Sequence, residues 1–143
     1  MIVEYGPGTG PITRHILSKM SKNSKLILIE TNKYLADRLR KLNDPRVYIF
    51  NDSAENIKEI LKKCNEKKID YIISGIPFSR IRERDKKRIL KKSHEVLKDN
   101  GMFLVYQVSY HIVKYLKSLK FKSIKKGFEL LNVPPLCVVE AVK

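Results

Sequence analysis

The chain has 143 residues and a net charge of +15, from 30 Lys plus Arg against 15 Asp plus Glu. That length suits one domain whose core needs no metal or disulfide. No apolar run approaches the roughly 20 residues that would span a bilayer, and no signal-peptide pattern opens the chain, so a soluble cytoplasmic protein is expected.

The first strand is expected at residues 2–5, Ile-Val-Glu-Tyr, and runs directly into Gly6-Pro7-Gly8-Thr9-Gly10-Pro11. Pro11 suits a first helical turn, and Ile12, Ile16 and Met20 then share one helix face. A strand at 26–30 precedes a helix faced by Leu35, Leu39 and Leu42. A third strand, 47–50, leads through Asn51-Asp52-Ser53-Ala54 to a helix with Ile57, Ile60, Leu61 and Cys64 inward, Ser53 being its N-cap. The fourth strand, 71–74, enters Gly75-Ile76-Pro77-Phe78. A helix over 83–98 follows, with Asp99-Asn100-Gly101 as its stop. A strand at 102–108, a short helix at 110–119 and strands at 123–131 and 136–142 complete the pattern. Only Asn132-Val133-Pro134-Pro135 joins the last two, too short for a parallel crossover, so they must be antiparallel. The alternation predicts an α/β fold: a seven-stranded, mainly parallel sheet with an antiparallel terminal strand and helices on both faces.

The glycines exclude one obvious ligand. In the dinucleotide fingerprint a third glycine follows the second by three residues, and that place holds Pro11. The spacing present, Glu4-x-Gly6-x-Gly8-x-Gly10, resembles motif I of class I S-adenosylmethionine-dependent methyltransferases, whose Rossmann-like sheet has the layout just described. The resemblance implies S-adenosyl-L-methionine as cofactor. Glu4, Tyr5, Gly6, Gly8 and Gly10 would surround its amino acid portion, and Glu30 with Thr31 its ribose. Asp52, Ser53 and Ala54 would flank adenine, and Ser74 would lie beside the transferable methyl.

Ser74-Gly75-Ile76-Pro77-Phe78 stands where amino methyltransferases acting on adenine carry Asn or Asp first. With Gly-Pro-Gly-Thr-Gly, Tyr110 and the Asn-Val-Pro-Pro turn, it looks more like the bacterial phospholipid N-methyltransferases, relatives of the ribosomal RNA adenine dimethylases. That resemblance implies successive N-methylation of phosphatidylethanolamine-type headgroups. Ser74, the carbonyl of Ile76, Pro77, Phe78 and Tyr110 would form the catalytic set, the two rings facing the growing cation. It also implies an anionic membrane surface or phospholipid as partner, with peripheral attachment to the inner face of the membrane. RNA adenine N6-methylation is the alternative acceptor chemistry, and a cofactor-binding core inactive without a lid or partner is the alternative class. Those lipid enzymes begin with an amphipathic helix that helps close the cofactor site. Residues 1–143 read as a single domain without the usual N-terminal helices, so an open cofactor pocket is expected.

Two basic tracts, residues 80–92 and 114–126, suit phosphate groups of lipid or RNA, the first flanking the proposed acceptor site. His111 follows Tyr110 and could relay a proton, although His15, His94 and His111 all fall on expected helices. Cys64 and Cys137 form no metal-ligand pattern, and no metal is expected. The sequence leaves the oligomeric state open.

Overall fold

The computed structural model describes residues 1–130 and 135–143. Strands β1 (Ile2–Tyr5), β2 (Leu26–Ile29), β3 (Val47–Phe50), β4 (Ile69–Ser74), β5 (Leu97–Gln107), β6 (Ser123–Glu129) and β7 (Leu136–Val142) form one sheet in the order β3-β2-β1-β4-β5-β7-β6. The pairs β1–β2, β2–β3, β1–β4 and β4–β5 are parallel, whereas β7 runs antiparallel to both β5 and β6. The expected fold is therefore the observed one.

Helices α1 (Pro11–Lys19) and α2 (Lys33–Leu39) pack on one face, where Ile16 and Leu39 meet Leu26 and Leu28 of β2. Helices α3 (Ile57–Lys63), α4 (Glu83–Val96) and α5 (Val113–Ser118) cover the other through Ile57, Ile60, Ile89, Leu90 and Leu116, packed on Val3, Tyr5, Ile72, Phe103 and Val139. Burial is uneven across the first face. All four residues of β2 are buried, but Tyr71 of β4 is 49% exposed and Met102, Leu104, Val138 and Val142 are only half-buried.

Several boundaries move. Helix α4 ends at Val96, two residues before its expected end at 98, and β5 starts at Leu97 rather than at residue 102. Leu97 pairs with Ile69, Met102 pairs with Tyr71, and residues 98–101 bulge between them with Asn100 at φ 62°. Backbone pairing to the last residue holds the bulge: Asn100 N–H donates to the Lys143 carbonyl, and Lys143 N–H donates to that of Gly101. Strand β4 gains Ile69 and Asp70, α5 is shorter at both ends than expected, and β6 ends at Glu129. The end of the expected sixth strand and the Asn-Val-Pro turn, residues 131–134, lie outside the described residues.

A Cβ on Gly101 would sit 2.8 Å from the Lys98 carbonyl oxygen and 3.1 Å from that of Asp70, both backbone atoms that cannot swing aside. Gly101→Ala is expected to cost about 1–3 kcal/mol. Thermal melting checks this, and an unshifted transition would mean that the bulge relaxes freely.

Candidate functional site

The chain winds outward from β1 to β3, then returns to place β4 on the other side of β1, which creates a topological switch point at the carboxyl ends of these strands. Ligands of open α/β sheets bind at such points. Here a cleft of about 490 Å³ opens, lined by Gly6, Glu30, Thr31, Ser53, Ala54, Glu55, Gly75, Ile76, Pro77, Ile81, Asp85 and Ile89.

The glycine turn is built for conformation first. Gly8 has φ +61° yet has open space where a Cβ would point, so it is the left-handed backbone that requires glycine there. Gly10 caps α1 at φ +81°, and a Cβ would also come within 3.0 Å of Leu39. Glu30, nearly buried, holds the turn in place: Gly8 N–H donates to Oε2 at 3.1 Å, and Asn32 N–H donates to Oε1 at 2.9 Å. Each oxygen keeps lone-pair capacity for a ligand hydroxyl.

Glu4 is fully buried on β1. The Thr13 hydroxyl donates to its Oε2 at 2.6 Å, while Oε1 has no partner among the described residues. Burial pushes its carboxyl up to about 7, against a smaller opposing pull from Thr13. A buried carboxylate oxygen without a donor suits a cationic group of a ligand.

At the third strand end, Ser53 caps the 3-10 turn Ala54–Asn56, its hydroxyl accepting from Glu55 N–H at 3.2 Å. Ala54 lines the cleft, whereas Asp52 is not among its lining residues and its Oδ1 accepts from Ser53 N–H and the Asn56 amide. At the fourth, Ser74 is fully buried and, like Glu4, does not line the cleft; its Oγ accepts from Ile76 N–H at 3.3 Å. The Ile76 carbonyl accepts from Phe78 N–H and that of Pro77 from Arg80 N–H, each at 2.9 Å.

Tyr5, Phe78 and Tyr110 also stand outside the cleft. Tyr5 alternates away from Glu4 into the core, its ring fully buried and its hydroxyl 3.1 Å from Ser93 on α4, so only its backbone borders the turn. Phe78 is also fully buried, packed edge-on against Phe103 with centroids 6.5 Å apart. Its ring faces the core and cannot stack on a substrate in this arrangement. The Tyr110 hydroxyl donates to the Gly127 carbonyl at 2.6 Å, and the Lys126 ammonium lies 5.6 Å from the ring centre, so both its polar and its π functions are engaged. His111 approaches Tyr115, whose hydroxyl donates to Glu83 Oε2 at 2.5 Å.

Other contributors carried no motif. Gln107 of β5 accepts from Phe78 N–H at 3.2 Å and fixes the loop after β4. The Tyr106 ring lies over Gly75, where any Cβ would fall 2.5 Å from its hydroxyl oxygen. Burial, with Glu4 nearby, raises the Tyr106 phenol. Arg88 of α4 reaches Glu55 at 2.8 Å and also faces Asp85, tying together two acids of the cleft wall. Asp85 is held below the usual carboxylate range, first by its hydrogen bond from Arg82.

Residues 2–101 match the model of a methyltransferase domain. The chain belongs to that family. Its fold is that of the class I S-adenosylmethionine-dependent methyltransferases, whose methyl donor is the cofactor expected from the glycine motif. The ornithine lipid N-methyltransferase of Singulisphaera acidiphila is 26% identical over 141 residues, covering 94% of this chain and 71% of that protein. Other curated relatives are matched over 49% and 57% of their length. Among solved structures, the 1,6-didemethyltoxoflavin N1-methyltransferase of Burkholderia thailandensis, with bound 1,6-didemethyltoxoflavin and S-adenosylhomocysteine, superposes with a TM-score of 0.74 at 13% identity, over 99% of this chain and 70% of that one. An rRNA methylase from Streptococcus thermophilus gives 0.71 at 16% identity, over 99% and 86%. Among the described residues no helix of this methyltransferase is long and apolar enough to cross a membrane.

Proposed function

We propose that this methyltransferase acts on the amino groups of phospholipid headgroups of the phosphatidylethanolamine type. The observation that carries the reading is the similarity to a lipid N-methyltransferase along 94% of the chain. The cleft suits the donor: Glu30 would take its ribose hydroxyls and Ser53 with Ala54 its adenine, while Glu4, which is fully buried and does not line the cleft, would take its ammonium through its unpartnered Oε1. S-adenosylmethionine supplies a methyl group on a sulfonium, open to in-line attack by a neutral amine.

The protein's share is then orientation. Ser74 Oγ and the Ile76 carbonyl each already accept one backbone N–H, and each keeps a lone pair. Two N–H groups of an unprotonated headgroup amine bonded there would leave its own lone pair directed toward the donor. The aromatic contribution expected from Phe78 and Tyr110 is not part of this reading, since one ring is buried and the other is engaged by Lys126.

The test is transfer of labelled methyl from S-adenosylmethionine to dispersed phosphatidylethanolamine and, in parallel, to RNA, whose backbone the +15 charge also suits. Label in the lipid headgroup supports the proposal. Label in RNA alone overturns it in favour of adenine methylation, and no label despite bound cofactor points to a core that needs a lid or partner. Ser74→Ala is expected to lower lipid turnover at least about tenfold. Unchanged turnover would remove Ser74 from the mechanism.

A further inference from the structure

The two basic tracts differ once folded. At the start of α4 and along it, Arg82 and Arg84 share Asp85, Lys87 pairs with Glu83, and Arg88 pairs with Glu55, so three acids offset part of the charge of that tract's eight cations. Lys114, Lys117, Lys120, Lys122, Lys125 and Lys126, on α5, β6 and the turn between them, belong to none of the ion pairs among the described residues. The second tract therefore presents its lysines with no carboxylate paired to any of them among the described residues.

Large apolar side chains stand exposed beside it. Phe128 on β6 is 56% exposed, Leu130 just beyond it 73%, and Val108 at the end of β5 52%. Alternation along β6 puts Ile124, Lys126 and Phe128 on the face toward α5 and Glu129 on the opposite face. Phe128 pairs with Cys137, which pairs with Gln107, the residue that fixes the loop after β4. The patch thus stands at the same end of the sheet as the cleft.

We propose that this corner of α5 and β6 docks on an anionic bilayer, with Phe128 and Leu130 entering the interface and the free lysines meeting lipid phosphates. The inference rests on the lipid reading of the site and goes beyond it by naming the surface that delivers the enzyme to its substrate. The chemistry favours a bilayer over RNA. Phe128 alone could stack on a base, while Leu130 and Val108 offer no stacking platform, whereas an interface takes up all three apolar side chains flanked by cations.

The experiment is flotation of the whole chain with phosphatidylcholine vesicles, with and without about one-third phosphatidylglycerol. Wild-type protein is expected to float only with the anionic vesicles. Phe128→Ser with Leu130→Ser, and separately Lys114→Glu with Lys117→Glu, are each expected to weaken binding at least about tenfold. Lys19→Glu with Lys41→Glu, which removes as much charge from the opposite side of the sheet, should weaken it far less. All pairs should retain the wild-type melting temperature and methylate short-chain phosphatidylethanolamine dispersed in detergent at the wild-type rate.

Patch variants that float like wild type overturn the proposal, as does an equal loss in the control pair. Wild-type protein that ignores anionic vesicles but shifts RNA on a gel through the same lysines assigns the surface to nucleic acid. If wild type fails to methylate the dispersed lipid, the reading of the site fails. If it does methylate it and only the flotation result is contrary, the docking surface alone is wrong.

Discussion

Glu4→Gln is expected to stabilise the protein above pH 7 while weakening S-adenosylmethionine binding about 10- to 100-fold. Burial raises the folded-state carboxyl to about 7 from an ordinary value of 4.5. The native state therefore holds this proton more tightly than the unfolded chain does. Glu4 costs nothing below pH 4.5, progressively more as the pH rises toward 7, and up to about 3 kcal/mol beyond. Glutamine removes that slope and can still accept from Thr13. Melting temperatures of the two proteins should thus coincide near pH 5 and diverge by several degrees near pH 8, with the variant higher. Calorimetry should show wild-type affinity for the donor falling as the pH drops through 7, because a protonated Glu4 no longer attracts an ammonium. The same pH dependence of stability in both proteins would show that Glu4 ionises normally.

Glu30→Ala should reduce donor affinity at least about 100-fold, through two losses at once. One is the ligand contact itself. The other is the clamp: Gly8 N–H and Asn32 N–H both lose their acceptor, so the left-handed glycine turn loses one of its ties beside β2 and keeps the bond from Gly6 N–H to the Ile29 carbonyl. Glu30→Gln separates the parts, since its one carbonyl oxygen can serve only one side of the clamp. Affinity within threefold of wild type for the alanine variant, measured by calorimetry, would show that the donor does not rest on this strand end.

How far the sequence disclosed this site depends on what each residue needs. Strands β1, β3 and β7 match their expected limits because each is a short, mostly apolar run with a turn-former at one end at least: Gly6 after β1, Pro45 and Asn51 around β3, and Pro135 before β7. The start of β5 was hidden, because Leu97 continues the helical period of α4 and Asp-Asn-Gly reads as a stop; pairing of Leu97 with Ile69 overrides both signals. The spacing of Glu4 and Glu30 to the glycines singles them out, and the structure buries the first and bonds the second to the glycine turn. Tyr5 was misplaced although period-two alternation with Glu4 was there to be read. Phe78, Tyr106 and Gln107 depend on which strands become neighbours, and no local pattern encodes that. The two acids within residues 80–92 and the lack of any in 114–126 are legible in the sequence, whereas the pairing of Arg88 with Glu55 across 33 residues of chain is not.

The uneven cover on the α1 and α2 side of the sheet also bears on how this sequence can drift. Every residue of β2 is enclosed from both sides, so polar replacement at any of its four positions meets the full cost of burial. Along β5 the burden falls on alternate residues: Phe103 and Val105 are sealed, while Met102 and Leu104 keep partial access to water. Divergent copies of this gene should therefore change fastest on one side of β4, β5 and β7, and leave β2 nearly untouched.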